Sequence, residues 1–128
     1  MPPQLDLVGM VVKDMKATLD FYRALGLAIP DGAEKEGHVE YKIGGLRFAW
    51  DTIEVIKSFD PDWTPPSGGH RMSLAFVCAN PAEVDETYNR IIGLSYHSHK
   101  APWDAFWGQR YATVLDPDGN GVDLFAPL

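Results

Sequence analysis

Two stretches of this chain repeat one another. "LVGMVVKDMKATLDFYRALGL" (7–27) is matched 66 positions later by "SLAFVCANPAEVDETYNRIIGL" (73–94), with one extra residue near the end of the second copy. A repeat of this size requires both copies to adopt the same supersecondary unit, and that excludes most topologies open to a chain of this length. Each copy starts with a short apolar run of strand character, followed by Asp14 or Asn80, residue types that cap helix N-termini through a side-chain oxygen. Helical spacing follows. Leu19, Tyr22 and Leu25 form one apolar stripe and Val84, Tyr88 and Ile91 the other. Pro81 falls at the first helical position, where its missing N–H costs nothing. Gly26 and Gly93 are expected to end the helices as C-cap glycines.

Three strand-like segments follow each helix. In the first half they lie around "LAIP", "HVEYKIG" and "LRFAWD", and in the second around "LSYHSH", "GQRYATVL" and "GVDLFA". Each half therefore reads βαβββ. The expected fold is α+β: two βαβββ modules, 5–51 and 71–128, within one domain over 1–128. The Pro-, Gly- and Asp-rich stretch 52–70 joins them, with "IEVIKSF" as a short element of its own. The turn at Gly44 and Gly45 corresponds to that at 118–120. In "VLDPDGNGVDLF" a strand must stop at Pro117, which has no amide for a ladder, and reverse through Gly119 and Asn120. The next strand alternates, with Val122 and Leu124 on one face and Asp123 and Phe125 on the other.

Composition narrows the function classes. A formal net charge of −7 without a concentrated basic patch argues against nucleic acid. No apolar run approaches the roughly 20 residues of a membrane span. The single Cys78 sits inside an apolar run, so no disulfide is expected and a reducing cytoplasm is the natural setting. As a lone strand cysteine it reads as packing.

Two βαβββ halves ending in "DPDGN" and a final strand resemble the vicinal oxygen chelate superfamily: glyoxalase I, extradiol dioxygenases, fosfomycin-resistance enzymes and bleomycin-resistance proteins. "VVKDMKATLDFYRALGL" is similar to its first strand and helix, and "WGQRYATVLDPDGNGVDLF" to its last hairpin. The resemblance implies a curved mixed sheet around a cavity, a small-molecule ligand and a homodimer. In the metal-dependent members the ion is held by residues of the first and last strands of each half. Carried over, those positions are Leu7 and Ser73, and then Asp123 and either Arg47 or Ala49, the frame being uncertain by two residues. Only Asp123 is a credible ligand, and a catalytic divalent site needs about three. The expectation is a chain with the fold but no metal or other cofactor, in character closest to bleomycin-resistance proteins.

By the same parity, Leu7, Gly9 and Val11 with Ser73, Ala75 and Val77 face the cavity. "KAPWDAFWGQR" is expected as a loop that offers Trp103 and Trp107 for stacking, with Trp63 and Trp50 as further rim candidates, Trp50 alternatively packing under a helix by strand parity. The expected ligand-binding set is Leu7, Arg47, Ala49, Ser73, Trp103, Trp107, Asp123 and Phe125, and Arg47 is expected to pair with Asp123 in place of an ion. His97 and His99 should share a strand face by the period of two. His38 and His70 read as surface residues. Three functions compete: a binder that sequesters a small aromatic or cationic molecule, a lyase or isomerase of the same fold using Asp123, His97 or His99, and a protein-association module.

Overall fold

The structure, a computed structural model describing residues 2–128, contains β1 (Leu7–Val12), α1 (Met15–Leu25), a 3₁₀ turn (Ala33–Lys35), β2 (His38–Ile43), β3 (Leu46–Thr52), α2 (Ile53–Phe59), β4 (Ser73–Val77), α3 (Pro81–Gly93), β5 (His97–Ala105), β6 (Gln109–Leu115) and β7 (Gly121–Pro127). The chain divides into two units, one of residues up to 23 with 28–66, the other of 24–27 with 67–128. Among the described residues no helix is long and apolar enough to cross a membrane.

The first unit carries a three-stranded sheet in the order β1-β3-β2, with β1 parallel and β2 antiparallel to β3. Asp14 caps α1 by accepting from the Ala17 amide at 3.0 Å, and Gly26 at φ 121° follows its last turn. The core is aromatic. Trp50, wholly buried, stands opposite Met10 and packs on Tyr22 (ring centroids 5.2 Å apart) and Phe48 (6.3 Å), so of its two expected places it takes the one under α1. "IEVIKSF" is α2, capped by Thr52, whose hydroxyl accepts from the Val55 amide at 3.2 Å.

The expected strand at "LAIP" does not form. Its carbonyls are taken elsewhere: Arg23 donates to Ile29 O at 3.1 Å and to Pro30 O at 2.6 Å, and the Ala28 amide donates to the Tyr41 hydroxyl. With Pro30 also lacking an N–H, the segment has little left for a ladder.

The second unit has the full βαβββ pattern in a four-stranded sheet, order β4-β7-β6-β5, with β4 parallel to β7. Asn80 caps α3 by accepting from the Glu83 amide at 2.9 Å, and Glu83 returns the bond to the Ala79 amide at 3.1 Å. Cys78, Val84, Ala112, Leu124 and Ala126 make a buried cluster with Leu25, Phe76 and Tyr88 against it. Burial pushes the Cys78 thiol up, so it stays protonated and packs as a small apolar residue. Gly93 is not the C-cap glycine expected of it. It is the last helical residue, and the left-handed position falls on Ser95 at φ 72°.

Candidate functional site

One face of the second sheet turns away from α3, and its composition follows from strand register. β4, β7 and β6 set Ser73 opposite Gly121 and Leu115, Ala75 opposite Asp123 and Thr113, and Val77 opposite Phe125 and Tyr111. Asp123 lies at the centre. One of its oxygens accepts from the Tyr111 hydroxyl at 2.8 Å and from Ser73 at 3.1 Å, and the other accepts from Thr113 at 2.7 Å. Three hydroxyls thus fix the carboxylate, and no cation pairs with it among the described residues. Burial first, and the Asp123 carboxylate second, push the Tyr111 phenol up to about 12, so it remains a hydrogen-bond donor at neutral pH.

Aromatic rings continue outward from Tyr111. Phe125 stacks on it with centroids 6.2 Å apart, Trp107 meets its edge at 5.3 Å, and Trp103 meets Trp107 at 5.4 Å. Trp107 is half exposed, its indole N–H given to Gln109 at 2.8 Å, and Phe106 at the turn is 90% exposed. The expected loop at 100–110 is mostly strand: β5 runs through Trp103 to Ala105, and only 106–108 turn, with Gly108 at φ 92°. Pro and Asp are tolerated because β5 is the edge strand of its sheet and breaks register twice.

Those breaks also separate the histidines. Ser98 is opposite Val114 and Lys100 is opposite Thr113, which leaves His99 as the extra residue of a bulge. A period of two therefore does not hold from His97 to His99. His99 meets His70 instead, edge to face at 5.3 Å, and the His70 ring lies so close to Gly121 that a Cβ there would come within 2.7 Å of it.

On the first sheet, Leu7 stands opposite Arg47, and Gly9 opposite Ala49. Since Leu7 corresponds to Ser73 and Gly9 to Ala75, the counterpart of Asp123 is Ala49, which settles the two-residue uncertainty. Arg47 donates to Glu40 at 2.8 Å and is paired with Asp6. The expected Arg47–Asp123 pair is thereby replaced: the arginine is satisfied by carboxylates of its own unit, and the aspartate by hydroxyls of its own. His38 bridges Glu40 and Asp51, and hydrogen bonds to Glu40 and then to Asp51 raise its pKa.

The family model of the glyoxalase/bleomycin resistance protein/dioxygenase superfamily matches residues 4–124. The chain belongs to that superfamily. Structures similar to it include a glyoxalase/bleomycin resistance protein/dioxygenase from Nocardioides, 22% identical at TM-score 0.77, with 100% of this chain and 85% of that one covered. A glyoxalase-related enzyme from Fulvimarina pelagi is 17% identical at TM-score 0.78, covering 96% and 87%. Lactoylglutathione lyase from Agrobacterium tumefaciens is 22% identical at TM-score 0.67, covering 98% and 95%. At these identities the likeness is one of fold. No curated protein matches the sequence.

Within the superfamily fold, the four positions that the resemblance marks for metal ligands hold Leu7, Ala49, Ser73 and Asp123. This donor set does not fit a divalent ion. Leucine and alanine side chains have no lone pair to give, which leaves the Ser73 hydroxyl and Asp123, short of the roughly three protein ligands such a site needs. No three His, Cys, Asp or Glu residues are grouped to hold a metal ion among the described residues. Of the expected ligand-binding residues, Ser73, Asp123, Phe125, Trp103 and Trp107 share the face of the second sheet, while Leu7, Arg47 and Ala49 belong to the first. Tyr111 and Thr113 were missed, although a hairpin pairing Leu115 with Gly121 dictates that they oppose Phe125 and Asp123.

Proposed function

We propose that this chain is a metal-independent binding protein of its superfamily, taking up a small planar molecule with a positive charge on the face of the second sheet. The observation that carries this reading is the run of rings Trp103, Trp107, Tyr111 and Phe125 leading to Asp123, a carboxylate held by three hydroxyls and, among the described residues, by no cation. Rings in edge-to-face contact leave flat faces for stacking, and an oriented carboxylate selects a cationic group beside them. The net charge of −7 favours the approach of a cation over that of an anion.

The test is a tryptophan-fluorescence titration with proflavine and with bleomycin-type antibiotics. Saturable quenching is expected, and Trp107→Ala should weaken binding by up to about tenfold, the worth of one stacked ring. Absence of saturable quenching by every compound, or a variant that loses thermal stability without losing affinity, would refute the proposal. Metal content provides a second check. Elemental analysis of the purified protein should find far less than one zinc, nickel, iron or manganese per chain, and a stoichiometric ion would contradict the metal-independent part.

A further inference from the structure

The rung that holds Asp123 carries a second charge. Lys100 on β5, Thr113 on β6, Asp123 on β7 and Ala75 on β4 stand opposite one another in sequence across the sheet. The Lys100 ammonium lies over the Trp103 ring, 4.7 Å from its centroid, and among the described residues no carboxylate pairs with it. One rung thus presents an unpaired cation and an unpaired anion, one strand apart on either side of Thr113, with the aromatic rung of Trp103, Tyr111 and Phe125 alongside.

We propose that this face binds an aromatic molecule carrying both a cationic and an anionic group, the cation directed to Asp123 and the anion to Lys100. The proposal rests on the ring-binding reading above and adds the anionic group to it. Three hydroxyls occupy three of the roughly four acceptor sites of a carboxylate, leaving Asp123 one for a ligand N–H. A ligand cation does not belong on the Trp103 face, because Lys100 already fills it and would repel a like charge. An anion is attracted there by the same ammonium. Two strand spacings of about 4.8 Å put the two backbones roughly 10 Å apart, and the flexible lysine stem shortens that gap. The ligand's charges should accordingly stand across a ring from each other rather than on one carbon.

The probes are 4-(aminomethyl)benzoate, which has both charges across a benzene ring, benzylamine, with only the cation, and benzoate, with only the anion. Each is titrated into the full chain while the indole N–H signals of Trp103 and Trp107 are followed by NMR. The doubly charged compound should bind about tenfold or more tighter than either single-charge compound, the worth of one charge-assisted hydrogen bond. Lys100→Met should reduce its affinity to that of benzylamine, and Asp123→Asn to that of benzoate. The ligand comparison on the unaltered protein stands even if Asp123→Asn disturbs the hydroxyls around it. Equal affinity for benzylamine and the doubly charged compound, or tighter binding of that compound by Lys100→Met, would overturn the inference. In that case proflavine binding would still support the ring-binding reading. If neither proflavine nor any of the three probes binds, both fall.

Discussion

Trp50→Ala should lower the stability of this protein more than any other single substitution considered in its core. Trp50 is wholly buried against Tyr22 and Phe48, and truncating it leaves the largest hole a side chain can leave. Buried tryptophan to alanine costs about 3–5 kcal/mol, the sum of lost transfer energy and the cavity that remains. For a chain of this length that corresponds to a fall in melting temperature of roughly 10–20 °C. Trp50→Phe should behave quite differently. The indole N–H is buried without a hydrogen-bond partner among the described residues, so phenylalanine removes an unsatisfied donor while keeping ring contact with Tyr22. The loss should then stay under about 1.5 kcal/mol, in the range of modest core resizing. Thermal melts of both variants separate the accounts. A Trp50→Phe loss as large as that of Trp50→Ala would mean that the phenyl ring does not refill the site and that relieving the orphan donor gains nothing.

The helices were legible because their signals are local. Asp14 and Asn80 as caps, Pro81 at the first turn and apolar residues three and four apart all act within one helical turn, and tertiary packing did not override them. The missing strand at "LAIP" was illegible because its competitor lies outside it. Arg23, a helix residue, takes the carbonyls that a ladder would need. The bulges of β5 were hidden for a related reason: a period of two can be counted along one strand, but a bulge exists only relative to the partner.

The site divides along the same line. Asp123 and Phe125 were readable from alternation in "GVDLFA", since both face away from the buried Val122 and Leu124. What Asp123 does was not readable, because its partners come from two neighbouring strands. The expectation of Arg47 assumed that a mid-strand carboxylate needs a positive charge. Hydroxyls from Ser73, Tyr111 and Thr113 meet the same need in hydrogen bonds while leaving the negative charge uncompensated. Lys100 was passed over because nothing in "HSHK" says that its ammonium will rest on a ring three residues ahead.

Asp116→Ala should cost about 2–4 kcal/mol, because it strips a buried hydrogen-bonded carboxylate from the turn that sets the register of the site. One oxygen of Asp116 accepts from the amides of Asp118 and Asn120 at 3.0 and 2.9 Å, and the other accepts from the Asn120 side chain at 2.9 Å. Alanine leaves all three donors seeking water at a position where the acceptor was buried. Asp116→Asn is the informative companion. Its oxygen can still receive the two amides, but its NH₂ then confronts the Asn120 NH₂, so an intermediate loss is expected. The consequence reaches the face of the sheet, since this turn pairs Leu115 with Gly121 and thereby Thr113 with Asp123. A slip of one residue would swing Asp123 toward α3 and Val122 into its place. Hydrogen exchange of the β6 and β7 amides should accordingly rise in Asp116→Ala more than in Trp50→Phe, together with weaker quenching by proflavine. A variant that is destabilised by the expected amount yet keeps full protection in β6 and β7 would show that the strands hold their register without the turn.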